Sequence, residues 1–225
     1  MKIDRALIIR RLNHPVSMEY AAGCAKSCEE HNLKYEFIDA IENISCEQAF
    51  KAVGVYKKES YKNSMGNCCC HASHIKCWKR IIELDKPCII LEHDAIVRGD
   101  VTNIDIPDMS VVTFGHRVLD PNQYNPIKPI KELKEIPRSV GVHACGLSPL
   151  TAKWLWESAR NNGISIGIDR WLMMQRASRL PLYVSSPEQV VCWIRKSTIN
   201  ENKKPSGKVV NYPDSFSKYW KDGFK

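Results

Sequence analysis

The sequence predicts an α/β fold, a mainly parallel sheet flanked by helices. Three observations predict it. Short apolar runs alternate with segments of helical periodicity from the N-terminus to about residue 114. One run, Cys88-Ile89-Ile90-Leu91, is apolar at every position, as a central strand covered on both faces should be. Finally, polar groups stand where these runs end, above all the acid-x-acid triplet Glu92-His93-Asp94. Open α/β sheets gather their ligand sites just beyond the carboxyl ends of their strands.

The elements follow in order. Arg5-Ala6-Leu7-Ile8-Ile9 is a first strand. Asn13 is placed to cap a helix, Pro15 suits its first turn, and that helix runs to about His31 and Asn32. Tyr35-Glu36-Phe37-Ile38 is a second strand ending at Asp39. Ser45-Cys46-Glu47-Gln48 has capping-box spacing and opens a helix. Residues 58–68 read as irregular. From Ser73 to Leu84, Ile75, Trp78, Ile81 and Ile82 make one helical face, which Lys86-Pro87 stops. Cys88–Leu91 and Ser110–Phe114 are further strands. Asp120–Arg138 holds four prolines and no period, and a loop of that length suggests a lid over the site. Ser148-Pro149 opens a helix through Arg160 that Gly163 ends, Asp169 begins another through Arg176, and Leu182-Tyr183-Val184 is a late strand. The domain reading is one unit over residues 1–200, followed by a basic, aromatic tail over 201–225.

Composition narrows the class. The chain has 225 residues, 44% hydrophobic and 26% charged. No apolar run approaches the roughly 20 residues of a membrane helix. The stretch from Met1 to Leu12 lacks a signal-type apolar segment, so the expected location is the cytoplasm, bacterial or that of a viral host. Ten cysteines without an export signal are expected as buried, reduced thiols rather than a disulfide framework. Cys68-Cys69-Cys70 with His71, His74 and Cys77 lacks the second ligand pair of a structural zinc site, and reads as a packed cluster. The net charge of +8 is uneven: Arg195–Lys225 carries eight Lys or Arg against three acids, interleaved with Tyr212, Phe216, Tyr219, Trp220 and Phe224. That pattern suits either a tail packed on the domain or a nucleic-acid contact.

The stretch Cys70, Ser73, His74, Trp78 and then Glu92-His93-Asp94 resembles glycosyltransferase family 25, the lipooligosaccharide and collagen-type galactosyltransferases. In that family, Gly-Cys-x-x-Ser-His and a Trp precede a strand ending in Glu-Asp-Asp. The likeness extends through Ile8-Ile9-Arg10-Arg11-Leu12, Phe37-Ile38-Asp39-Ala40, His143-Ala144-Cys145-Gly146-Leu147-Ser148, Ile168-Asp169 and Ser197-Thr198-Ile199, covering residues 5–200. Departures are Arg10 at the end of the first strand, Cys69 before the motif Cys, His93 within the triplet, and no histidine after His143.

The resemblance implies a GT-A-like, Rossmann-type fold and transfer from a nucleoside-diphosphate sugar, a UDP-sugar first, with Mn²⁺ or Mg²⁺ and an inverting outcome. Asp94 and Glu92 are the expected carboxylate ligands, because hard divalent ions take oxygen donors. His143 is a candidate nitrogen ligand, against a packed histidine. Glu92 can alternatively touch the donor's ribose. Ser73 and His74, taken as lying at a helix start, are candidates for the donor's phosphates, and Arg10, Arg11 and Asp39 for the nucleotide. Asp169 is the candidate base, against a plain helix cap. Trp78 is expected in the core, and His93 in a supporting role. The expected acceptor is a surface glycan. The alternatives are hydroxylated bases of phage DNA, or a non-enzymatic nucleic-acid-binding module built on the C-terminus. Oligomeric state is not legible.

Overall fold

The computed structural model describes residues 1–115, 130–132, 142–177, 180–185 and 189–192. Nine strands are assigned there: β1 (Arg5–Arg10), β2 (Lys34–Asp39), β3 (Cys88–Glu92), β4 (Ala95–Val97), β5 (Val111–Thr113), β6 (Ile130–Glu132), β7 (Ala144–Leu147), β8 (Leu182–Ser185) and β9 (Val190–Cys192). Five helices accompany them: α1 (Pro15–Glu30), α2 (Cys46–Ala52), α3 (Met65–Leu84), α4 (Pro149–Asn162) and α5 (Ile168–Ala177). Seven strands form one sheet in the order β2-β1-β3-β7-β5-β8-β6, and β4 pairs with β9 beside it. Strands β2, β1, β3, β5 and β8 run one way while β7 and β6 oppose them, so the sheet is mixed but mainly parallel.

The apolar run in β3 has the expected cause. Alternate side chains enter opposite faces of the sheet. Cys88 and Ile90 join a cluster with Phe50 of α2, Ile75 and Trp78 of α3, Leu155 of α4 and Trp171 of α5. Ile89 and Leu91 join a second cluster with Cys24 and Cys28 of α1 and with Val97 of β4. Residues Cys88–Leu91 are all fully buried. Each such aliphatic side chain stabilises the fold by roughly 1.5–3 kcal/mol.

Several local expectations are corrected. His14, not Asn13, caps α1: its Nδ1 accepts from the Ser17 amide at 3.2 Å, with Pro15 in the first turn. Helix α3 starts eight residues before Ser73, because the Ser64 hydroxyl accepts from the Asn67 amide and caps it. Its first turns are polar and carry no period, which hid them. The capping box of α2 is present as read, and Ser148 and Gly163 bound α4. Segment 144–147, read without a strand, is β7, inserted antiparallel between β3 and β5. Within the 120–138 stretch, Ile130–Glu132 is strand β6, paired with β8; the rest of the expected lid lies outside the described residues. The C-terminal tail and Ser197-Thr198-Ile199 also lie outside them. Not all thiols are reduced: Cys46 opens α2, Cys68 lies in the first turns of α3, and packing of the two helices brings their Cα atoms to 5.3 Å, where a disulfide joins them. No described helix is long and apolar enough to cross a membrane.

Candidate active site

The site forms where β3 ends. Glu92 shares the face of Cys88 and Ile90, so its carboxylate turns toward α3. There, Cys70 and His74 present their side chains one helical turn apart. His74 Nε2 lies 3.2 Å from Glu92 Oε1, and Cys70 Sγ lies 3.7 Å from the same oxygen. Strand β7 brings a further group: the Glu92 amide donates to the His143 carbonyl at 2.9 Å, so antiparallel pairing sets His143 beside Glu92. His143 is buried behind Gly115, where any Cβ would overlap its Nε2 and the Val190 carbonyl.

Electrostatics show how tightly charge is gathered here. Burial, reinforced by Glu92, Asp169 and Asp94, pushes the Cys70 thiol well above its usual range. Burial, Asp169 and Glu92 likewise push Cys145 up. Burial opposes the charge on Glu92, yet the His74 hydrogen bond and the fields of His74, His143 and His93 outweigh it and hold the carboxyl at about 2. Glu92 is therefore an anion at neutral pH. The structure thus brings Cys70, His74 and Glu92 together, with the fields of Asp94 and Asp169 reaching Cys70 and that of His143 reaching Glu92. Asp169 lies in the first turn of α5, and its position after Ile168 leaves the plain-cap alternative aside.

The other candidates stand at the same rim or behind it. Arg10 and Asp39 end the paired strands β1 and β2 and bond to each other at 2.9 Å, with the Arg10 guanidinium 4.3 Å above the Phe37 ring. Arg11 bonds Glu42 at 2.9 Å. Each arginine already has a carboxylate partner. Ser73 and His74 do not lie at a helix start, so free end-amides are not available to a phosphate there. The Ser73 hydroxyl donates to the Cys69 carbonyl at 2.7 Å and accepts from the Ile41 amide at 2.9 Å, tying α3 to the segment after β2. His93 takes the opposite face from Glu92, with its ring stacked at 6.2 Å on Tyr20 of α1. Trp78 is in the core, stacked on Trp171.

Residues 17–113 match the sequence model of glycosyltransferase family 25 (LPS biosynthesis protein). The resemblance drawn from Cys70–Asp94 falls inside that span. Among solved structures, the chain is similar to the glycosyltransferase GlyE of Streptococcus pneumoniae TIGR4. The apo form is 10% identical with a TM-score of 0.48, over 86% of this chain and 55% of that one. A second GlyE structure is 9% identical with a TM-score of 0.48, over 96% and 60%. A glycosyltransferase involved in glycosylation of the major capsid of PBCV-1 is 12% identical with a TM-score of 0.44, over 86% and 94%. The chain thus spans little more than half the length of the GlyE chains. No curated protein matches it in sequence.

Cys70 is the site residue that the sequence reading set aside, as one of a packed cysteine cluster rather than a metal ligand. Its spacing to His74 was the available signal. A DNA acceptor finds no support in the described residues or the family match, and the tail that suggested it lies outside the described residues.

Proposed function

We propose that the chain is a glycosyltransferase that moves a sugar from a nucleoside-diphosphate sugar, a UDP-sugar first, to a hydroxyl of a surface glycan, with inversion. One observation carries this reading: Glu92 and Asp94 stand at and just after the end of β3, inside the family-matched span, and the field of Asp169 from the first turn of α5 reaches the same cleft at Cys70. Glu92 and Asp94 are two oxygen donors, two residues apart in sequence, of the type hard divalent ions take. The residues present therefore fit Mn²⁺ or Mg²⁺, with Glu92 and Asp94 as oxygen ligands and His143 as a nitrogen ligand. Such an ion, when bound, neutralises charge developing on the departing diphosphate.

The chain's own residues account for the rest. Glu92 stays ionised because His74 and His143 offset its burial. His74 fixes the orientation of that carboxylate from the rigid interior of α3. Asp169 is the group assigned to take the proton from the acceptor hydroxyl, which needs a carboxylate within hydrogen-bond reach of it. Arg10 and Asp39, bound to each other at the rim, flank the nucleotide side; exchanging the Asp39 contact for a phosphate would free the guanidinium for that role.

The test is a panel of nucleotide-sugars, each with and without Mn²⁺, read by thermal stabilisation and donor hydrolysis. A donor present at 100 times its Kd should stabilise the protein by about 2.7 kcal/mol. The expected result is one donor class that stabilises and turns over only with the ion, with both responses lost in Asp94→Ala. Stabilisation by no nucleotide-sugar would overturn the reading. If donor hydrolysis is found, Asp169→Asn should keep donor binding and lose transfer.

A further inference from the structure

We propose that Cys70, His74 and Glu92 form a zinc-binding set inside this cleft, distinct in chemistry from the oxygen-rich set at Glu92 and Asp94. Cys70 and His74 are four residues apart on α3 and face β3 together. Their donor atoms and a Glu92 oxygen all lie within 4.8 Å of one another. The two shortest separations are 3.2 Å for N to O and 3.7 Å for S to O. A tetrahedral zinc with its usual bond lengths spaces its ligand atoms about 3.3–3.6 Å apart. Two edges of the tetrahedron are therefore close to formed before any ion arrives, and the third, between Cys70 and His74, is within 4.8 Å.

The donor types select the metal. Thiolate and imidazole favour zinc over the hard ions that carboxylates take. Three protein ligands leave a fourth position open, as in catalytic rather than structural zinc sites. Asp94 and Asp169 supply compensating negative charge nearby. Binding is a proton exchange without redox: the Cys70 S–H bond breaks, an S–Zn bond forms, and the thiol proton leaves to solvent. His74 binds through Nε2 as the neutral imidazole. The sequence ranks zinc here below a packed cluster because Cys68–Cys77 has no second ligand pair; the missing ligand comes from β3.

One consequence rests on the donor-site reading above. Glu92 would be shared between the two sets, so zinc held by Cys70 and His74 removes it from the hard-metal set and inhibits Mn²⁺-dependent transfer. The binding itself is tested without activity. Chelator-treated full-length protein is titrated with Zn²⁺ against a chromophoric chelator, and with Co²⁺ for thiolate-to-cobalt charge-transfer absorption. Cys70 is the free thiol among the described cysteines that is not buried. Its alkylation by iodoacetamide in the unmodified protein, run at raised pH until the metal-free thiol reacts because that thiol ionises late, and mapped by peptide mass, reports zinc at that atom whether or not variants fold.

The expected results are one Zn²⁺ per chain, a thiolate band with Co²⁺, and protection of Cys70 from alkylation. Cys70→Ser and His74→Gln should each weaken Zn²⁺ by more than about 100-fold, since losing even a ligand's hydrogen-bonded partner can cost 10–100-fold. Unprotected Cys70 overturns the proposal. So does a thiolate band that persists in Cys70→Ser, or Zn²⁺ binding lost in Asp94→Ala but intact in Cys70→Ser; that last result leaves the hard-metal set standing. Zinc bound at Cys70 in a protein that no nucleotide-sugar stabilises would instead remove the transferase reading and keep the zinc site.

Discussion

His71 and His74 lie on the same helix, three residues apart, and have opposite surroundings. Both are buried, His71 completely and His74 to 1% exposure. The His71 ring is enclosed by aromatic edges, with Phe50, Trp78 and Trp171 at centroid distances of 5.7, 6.3 and 5.6 Å. Burial first, then the field of His74, drive its pKa down to about 3 against a weak opposing effect of the Ile166 backbone. His74 instead meets an ionised carboxylate. The pair teaches that residue type fixes little here. Three residues turn the helix by about 300°, so the two rings lie only about 60° apart around α3, and that offset decides whether an imidazole is packing material or part of the chemistry.

The sharpest way to break the comparison is to remove what the polar face is built around. Glu92→Ala should lower transfer by about 10³-fold at equal concentrations of folded protein, the upper range for losing one preorganised electrostatic contact. Glu92→Gln should do nearly as much, because the lost quantity is charge. Initial rates under saturating donor decide it; a rate within a few-fold of the parent protein would remove Glu92 from the site.

The aromatic face should answer in stability rather than rate. His71→Ala opens a cavity among three rings and should cost about 3 kcal/mol by denaturant unfolding, within the range for large-to-small core changes. The rate per folded molecule should change little. The pH dependence carries a sign. Folded His71 stays neutral down to about 3, whereas in the unfolded chain it protonates near 6.5. Above pH 6.5 both states are neutral and His71 adds no slope. Between about 6.5 and 3 the unfolded state binds the extra proton, so stability falls with acid by up to about 1.4 kcal/mol per pH unit. His71→Leu should remove that component between pH 6.5 and 5. An unchanged slope would place His71 in contact with water.

His74→Ala is expected to be intermediate. It removes a hydrogen-bonded partner of a metal-ligand carboxylate, which typically costs 10–100-fold in metal affinity or activity. Mn²⁺ titration of activity should show most of the loss as weaker metal dependence. A stability loss matching His71→Ala, with no change in metal response, would make the two faces equivalent.

These contrasts also mark what the sequence could and could not reveal. The β1–α1–β2 unit and β3 were legible because each signal is local: apolar runs, a proline in a first turn, a capping box. Strand β7 was not. Ala144-Cys145-Gly146-Leu147 is short, contains glycine and has no β-branched residue, and it is a strand because β3 and β5 flank it. The proximity of His143 to Glu92 depends on that same pairing, so it could not be derived from spacing. Glu92 and Asp94 were legible as acids after an apolar strand. That Glu92 turns to α3 while His93 turns to α1 follows from strand alternation once both faces are known to be covered. The orientation of Cys70 toward Glu92 needed the true start and rotation of α3, which its unpatterned first turns concealed.

The smallest effect is expected at the edge of the sheet, where Arg10 and Asp39 pair at 2.9 Å with Asp39 43% exposed. Exposed ion pairs contribute about 0–1 kcal/mol, so Asp39→Asn should barely move the unfolding midpoint. Its value lies in separating two uses of Arg10. If the pair serves only the fold, donor affinity stays put, since the guanidinium also keeps its stacking on Phe37. If Arg10 is held in reserve for a phosphate, neutralising Asp39 releases it, and the Kd for the nucleoside diphosphate should tighten by a few-fold, more at low salt than at high. Calorimetric titration of UDP into Asp39→Asn and the parent protein at two ionic strengths distinguishes these. Equal affinities at both would confine Arg10 to a structural part and leave nucleotide recognition to the Glu92 face of the cleft.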